Sequence, residues 1–273
     1  MGAGTSDLRG NLWANGPEHN HVIPRLVVNP FVDEVVAQRY AEARPRLHDH
    51  VVALLTERIP APDRALDMGC GTGLSTKPLT SFARVVVGVD VSEEMLTARA
   101  GHVDAHFVRA RAERLPFRED AFDLATAASA IRWFGSETIG EIGRVLKPKA
   151  WLVVYDVRFR SEMVGEEAFA QWMKEECGPR YRPVPKNEFT SASVASIGFV
   201  PTWEADLRFD VPLTQRSLVA YLMTHSERIA AIREARETEA QQEAYLTEAL
   251  RPFFPDAEPR LLGFGIPIEV FSR

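Results

Sequence analysis

Residues 65–73 constrain this chain more than any other stretch: they read Ala-Leu-Asp-Met-Gly-Cys-Gly-Thr-Gly. An apolar run leads into an acid, and three glycines then alternate with small residues. A short buried strand running into a glycine-rich turn gives that pattern, because residues without a Cβ let a ligand lie against the backbone. Residues 74–79 read as helical, so the turn opens onto a helix N-terminus whose free N–H groups face whatever is bound. The stretch predicts a nucleotide-type binding turn.

Periodicity places the rest of the chain around it. Val32, Val35, Val36 and Tyr40 fall at helical spacing and predict a helix over 31–43. Arg44-Pro45 breaks it, because the residue before proline avoids the helical region. A second helix is expected over 47–58, with His48 and His50 on its surface. Strands are predicted at 65–68, 85–89, 106–109, 123–126 and 151–156, with helices at 74–81, 92–100 and 137–145 between them. Ser92 is the expected N-cap of the second of these, followed by Glu93 and Glu94 in the first turn. Strands alternating with helices imply an α/β fold with a parallel sheet wrapped on both faces.

Past residue 156 the character changes. An amphipathic helix is expected over 166–177 and another over 187–197, closed by Gly198. Two late strands, 203–211 and 261–271, enclose a helical stretch over 215–250. Thr224 and Glu227 suggest a capping box within it, which predicts two helices with a break at 223–225. Residues 1–28 are polar and aperiodic and read as a flexible arm, in which Trp13 and Ile23 have something to pack with. The remainder, 29–273, reads as one domain with helical cap insertions at about 160–182 and 214–252.

Charge and composition narrow the function. Lys and Arg number 32 against 38 Asp and Glu, a net charge of −6. An acidic chain repels a phosphate backbone, and the arginines at 109, 111, 114 and 118 are interleaved with Glu113, Glu119 and Asp120, so nucleic acid is not the expected partner. Cys70 and Cys177 offer neither a disulfide framework nor a zinc spacing, which points to a reducing, cytoplasmic compartment. No stretch approaches the roughly 18 apolar residues of a membrane span, and no histidine has a carboxylate at a metal-site spacing. Neither a membrane nor a metal is expected.

Ligands of open α/β sheets sit outside the carboxyl ends of the strands, beside strand one. A dinucleotide site there wants G-x-G-x-x-G, but counting from Gly69 or Gly71 puts Leu74 or Thr76 at the last position. Lys77 lacks the glycine that a P-loop lysine requires. The spacing is instead Asp67-x-Gly69-x-Gly71-x-Gly73, which disfavours a pyrophosphate.

Residues 66–73 combine with Val87-Gly88-Val89-Asp90, Met95-Leu96, Glu113-Arg114-Leu115-Pro116-Phe117 and Phe122-Asp123-Leu124. Together they resemble the class I S-adenosylmethionine-dependent methyltransferases. Tyr40, Arg44-Pro45 and Trp133-Phe134 place the resemblance in the small-molecule branch that includes trans-aconitate and ubiquinone/menaquinone-type enzymes. It spans about residues 30–156. It implies a Rossmann-like, mostly parallel seven-stranded sheet with a final antiparallel strand pair and a helical cap over the ligand edge. It also implies S-adenosylmethionine as cofactor, leaving as S-adenosylhomocysteine, a small-molecule methyl acceptor, and a monomer or homodimer.

Site residues follow from the same resemblance. Gly69, Cys70, Gly71 and Gly73 bring the backbone to the methionine and ribose parts of the cofactor. Asp67 polarises the turn or meets the cofactor's ammonium through water. Asp90, about 20 residues beyond the glycines, has the position of an acid that binds a ribose diol. Val91 and Met95 pack on the adenine, and Ala112 and Glu113 cap its edge. Ala128 and Trp133 lie near the sulfonium, where an aromatic face favours a cation. Tyr40 and Arg44 form a lid. Two positions depart from the family. Arg111 stands where relatives carry an acid for the adenine amino group, which arginine cannot accept; Glu113 or a backbone carbonyl takes over, or Arg111 faces solvent. Arg132 stands where relatives often show histidine.

Methyl transfer is an in-line displacement in which the protein positions the nucleophile and excludes water, adding a general base for a hydroxyl or amine acceptor. A carboxylate acceptor needs no base. The catalytic candidates are His225, Tyr155 and Trp133, with Asp156 a further base. The acceptor pocket is expected from the arm, the insert after strand five and the helices around His225. The rival readings are a catalytically inactive binding protein on the same fold and, on the glycine turn alone, a nicotinamide-dependent oxidoreductase.

Overall fold

The computed structural model describes residues 12–13, 30–99 and 104–273. The expected arm therefore lies outside the described residues apart from Leu12 and Trp13. These two lie against the loop before strand four: Trp13 bridges Phe117, and the Arg118 N–H donates to the Leu12 carbonyl at 2.9 Å. Ile23 lies outside the described residues.

Five strands run parallel: β1 (Arg64–Met68), β2 (Val85–Asp90), β3 (His106–Arg109), β4 (Phe122–Ala128) and β5 (Leu146–Tyr155). Their lateral order is β3-β2-β1-β4-β5, so the chain reverses direction across the sheet beside β1. Apolar side chains dominate their central positions, with a valine run in β2, as burial on both faces requires. Successive positions feed opposite cores. Val153 joins the core on one side of the sheet, while Leu152 and Val154 join the core on the other.

Three more strands complete an Rossmann-like sheet of eight: β6 (Arg158–Met163), β7 (Val200–Leu213) and β8 (Arg260–Ser272). The expected count was seven. The extra strand arises because the fifth position is split. β5 ends with Tyr155 opposite Ile268, and β6 resumes with Arg158 opposite Gly265, so β6 starts in the register of β5 on the same edge of β8 and then slips between Phe159 and Met163. Asp156 and Val157 sit in the notch between them. β7 pairs antiparallel along the whole other edge of β8, which gives the expected closing pair.

The helices are α1 (Glu34–Ala43), α2 (His48–Arg58), α3 (Thr76–Leu79), α4 (Glu93–Thr97), α5 (Thr138–Val145), α6 (Glu167–Trp172), α7 (Ser191–Ala195), α8 (Gln215–Leu222), α9 (Ser226–Arg233) and α10 (Glu239–Leu250). Ser92 caps α4 as expected, its hydroxyl accepting from the Met95 N–H. The stretch over 215–250 holds three helices, not two. Thr224 is no cap, because its hydroxyl donates back to the Tyr221 carbonyl at 2.6 Å. The capping box is Thr238 with Gln241, and Ala235 in a left-handed turn (φ 55°) closes the helix before it. The helix expected over 187–197 shrinks to α7. Residues 182–190 have no regular structure, since Asn187 is drawn onto the turn after β4, its N–H donating to Arg132 O and its side-chain amide to Phe134 O. α6 runs into a π-type turn at Met173–Cys177.

Candidate functional site

At the C-terminal end of β1 the chain takes three left-handed residues, Gly69 (φ 66°), Gly71 (φ 52°) and Gly73 (φ 80°). A side chain is excluded twice over at Gly69, where a Cβ would stand 2.5 Å from that of Ala130. The Gly69 and Cys70 N–H groups both donate to the Val89 carbonyl, which ties the turn to the end of β2.

Two acids hold this turn from opposite sides. Asp67 is fully buried. It accepts from Ser75 Oγ at 2.7 Å, Thr76 Oγ1 at 2.6 Å and Thr126 Oγ1 at 2.8 Å, and burial pushes its carboxyl above the ordinary range against the pull of those bonds. Asp90 accepts from the Gly71 N–H and the Ser92 N–H, both at 2.8 Å, and burial raises its pKa too, opposed by these backbone donors. The Val91 N–H acts on the same carboxylate, whose two oxygens together accept up to about four hydrogen bonds.

Around the turn lies a cavity of about 790 Å³, at the carboxyl ends of β1, β2 and β4. Its wall includes Gly69, Cys70, Gly71, Asp90, Val91, Met95, Ala112, Glu113, Ala128 and Trp133, together with Tyr40 and Arg44 from α1 and the residue after it. Among the residues expected at the site, Asp67, Gly73, Tyr155 and His225 do not line this cavity. Asp67 supports the turn from below, through its bonds to Ser75, Thr76 and Thr126.

Arg44 closes one end. Its guanidinium stacks between Tyr40 (4.7 Å) and Tyr221 (5.1 Å), Nη2 donates to the Thr224 carbonyl, and Nε is buried without a partner. Behind it, His48 is buried on the cavity wall rather than on a helix surface, because α2 packs that face onto β5. Its Nδ1 lies 3.0 Å from the Tyr155 hydroxyl, and burial with the nearby Arg44 charge lowers its pKa to about 4. His225 heads α9 without capping it, and burial with the Arg44, Arg228 and Lys186 charges lowers its pKa to about 3.

On the opposite wall Trp133 meets Phe31 edge-on at 5.8 Å, and the Lys186 ammonium lies 5.1 Å from its ring centre. The Lys186 ammonium thus lies near the ring expected beside the sulfonium. Arg111 neither faces solvent freely nor blocks the site: its Nε pairs with Glu113 Oε2 at 3.2 Å, while Glu113 Oε1 accepts from the Gly135 N–H at 2.6 Å. The insert at α6 stands away from the cavity, its Phe169 and Trp172 packing on Phe253 in the core. Asp156, expected as a further base, lines the cavity, whereas His48, Lys186 and Val157 were not expected there. Only the tertiary packing of α2, of residues 182–190 and of the split strand brings them together. Among the described residues no group of His, Cys, Asp and Glu is placed to hold a metal, and no helix is long and apolar enough to cross a membrane.

Comparison with known proteins agrees with this geometry. Residues 66–154 match the family described as a methyltransferase domain. The chain is 39% identical over 98 residues to a demethylmenaquinone methyltransferase of Corynebacterium kroppenstedtii, covering 35% of this chain and 42% of that one. It is 30% identical over 175 residues to the biotin biosynthesis bifunctional protein BioCD of Bordetella avium, covering 58% and 38%. These matches span half or less of either relative's length. A solved structure of a proposed type II methyltransferase from Anaeromyxobacter dehalogenans superimposes with a TM-score of 0.67 at 25% identity, over 83% of this chain and 97% of that one.

Proposed function

We propose that this chain, whose residues 66–154 match a methyltransferase domain, is a class I S-adenosylmethionine-dependent methyltransferase that methylates a small-molecule acceptor in the cavity beside β1. The observation that carries the reading is Gly71. Its N–H is held by Asp90, its φ of 52° leaves bare backbone on the cavity wall, and a Cβ there would stand 3.1 Å from Met95 Cε.

The donor set fits the cofactor. Arg44 Nε and the Thr72 hydroxyl are buried polar atoms without partners beside the turn. A guanidinium with a free edge suits the carboxylate of an amino-acid tail, and the acceptor capacity left to Asp90 suits a ribose diol. Met95 and Val91 offer apolar contact for a base, with Ala112 at its edge. When bound, S-adenosylmethionine supplies a methyl group activated by positive sulfur. The protein's own part is positional. The paired glycines and acids hold the turn in shape, Tyr40 and Arg44 cover it, and Phe31, Trp133 and Phe134 exclude water. We place the domain over 29–273, with α8 to α10 as the covering insertion, and expect it as a monomer or homodimer in the cytoplasm.

Calorimetry with S-adenosylhomocysteine tests the proposal. The folded protein should bind it, and Asp90→Ala should weaken binding by about 1–3 kcal/mol through loss of charge-assisted hydrogen bonds. Absence of binding by the folded protein overturns the reading, and an unchanged affinity in the variant overturns the role of β2.

A further inference from the structure

Arg44 is the first residue past α1, and Pro45 after it keeps its backbone extended (φ −75°, ψ 132°). That fixes where the side chain starts, on the cavity wall, but not where it ends. The guanidinium is held from the covering helices, 180 residues further along the chain at Thr224, whose carbonyl accepts from Nη2 at 3.1 Å. Its central carbon stands 5.1 Å from the ring centre of Tyr221 in α8. Among the described residues Nη2 alone finds a hydrogen-bond acceptor, and Nε is buried without one.

The two groups that hold it are themselves fixed. Tyr221 is 1% exposed, and its ring meets Phe159 of β6 at 5.7 Å, Phe264 of β8 at 5.3 Å and His225 at the head of α9 at 5.1 Å, each edge-on. Thr224 is as deeply buried. Its hydroxyl and its N–H both return to the Tyr221 carbonyl, at 2.6 and 2.9 Å, which tightens the chain after α8 and leaves the Thr224 carbonyl for Arg44. The hydroxyl that does not cap α9 thus closes α8. Two residues on, Ser226 lines the cavity. A free arginine side chain loses much rotamer freedom when a ligand orders it. Ordered beforehand by a ring and a carbonyl, it binds without that cost.

We propose that Tyr221 and Thr224 are positioning residues for the cofactor: they hold Arg44 in the pose that receives the carboxylate of its amino-acid tail, so the helices that cover the cavity also complete the cofactor's half of it. This rests on the methyltransferase reading. The hold runs both ways, because coupling between two sites is reciprocal. A ligand that carries the tail steadies residues 214–226, and one that lacks it does not.

The test compares S-adenosylhomocysteine with methylthioadenosine, which has the same nucleoside and a thioether but no amino-acid tail. By calorimetry the unsubstituted chain should prefer S-adenosylhomocysteine by about tenfold or more, the scale of hydrogen bonds to charged groups. Arg44→Gln should remove most of that preference. Tyr221→Leu should cut it by roughly threefold to tenfold, the scale of a partly desolvated cation–π contact, and Tyr221→Phe, which keeps the ring, should hold it within about twofold. All three variants should bind methylthioadenosine as the unsubstituted chain does, which certifies that the glycine turn is folded. Hydrogen exchange needs no variant: at equal saturation S-adenosylhomocysteine should slow exchange over residues 214–226 more than methylthioadenosine does. A chain indifferent to the tail, a preference that survives Arg44→Gln or Tyr221→Leu, or equal protection of 214–226 by the two ligands overturns the proposal. Failure of the folded chain to bind either ligand would instead overturn the methyltransferase reading itself.

Discussion

On the β1–β2 side of the cavity the acids are engaged before any ligand arrives: Asp67 by three hydroxyls, Asp90 by two backbone N–H groups, Glu113 by an N–H and Arg111. On the facing side, built by Arg44, the turn after β4 and residues 182–190, Arg44 Nε is buried without a partner and Arg132 and Lys186 have no acid. The first wall keeps its shape by itself. The second leaves polar groups unpaired within the chain. One wall is thus fixed by hydrogen bonds made within the chain, while the other carries polar groups that the chain itself does not pair.

The largest expected effect falls on the preorganised wall. Gly69→Val places a β-branched side chain at φ 66° with its Cβ 2.5 Å from that of Ala130. It should abolish S-adenosylhomocysteine binding, a loss of about a hundredfold or more, and destabilise the fold by roughly 3 kcal/mol. Calorimetry and urea denaturation read both, and near-normal binding would mean that this wall adapts as freely as the other.

A second test lies on the facing wall. His48 has a pKa of about 4 against an ordinary 6.5, so the unfolded chain binds more protons than the folded one between those values. Its contribution is fully present above pH 6.5 and is lost as pH falls toward 4, roughly 3 kcal/mol in all. His225, lowered to about 3, acts in the same direction. Denaturation midpoints at pH 7 and 4.5 should differ accordingly, and His48→Gln should flatten part of that slope. A slope unchanged in the variant would place the pH response elsewhere.

The smallest effect is expected for Arg111→Ala. The pair with Glu113 is partly exposed, so its loss should cost under about 1 kcal/mol of stability and change S-adenosylhomocysteine affinity by less than about threefold. A larger loss would move Arg111 from bystander to ligand contact.

The sequence was most legible where local chemistry dictates structure. The glycines at 69, 71 and 73 sit at left-handed φ, which favours glycine, with no room for a Cβ at Gly69, and β3 falls at His106–Arg109 as its apolar residues indicate. Legibility failed where distant pairing decides. β6 reads Arg-Phe-Arg-Ser-Glu-Met and becomes a strand only because β8 offers its edge. His48 looks like a surface residue until α2 turns it toward Tyr155. Lys186 stands in a segment with no regular structure, fixed by hydrogen bonds from its neighbour Asn187 that leave no periodic trace. Thr224 has the composition of a cap, but its hydroxyl is already bonded within the preceding helix.

The notch at Asp156 and Val157 imposes a counting rule on any chain built this way. β6 keeps the register of β5 against β8 as far as Phe159, and side chains alternate faces along a strand. Deleting or adding a single residue in the notch would invert the parity of β6. Phe159 would then leave the aromatic cluster of Phe169, Tyr221 and Phe264 for solvent. Length changes at this part of the cavity floor are therefore tolerable in twos, so its depth can be altered only in steps of a residue pair.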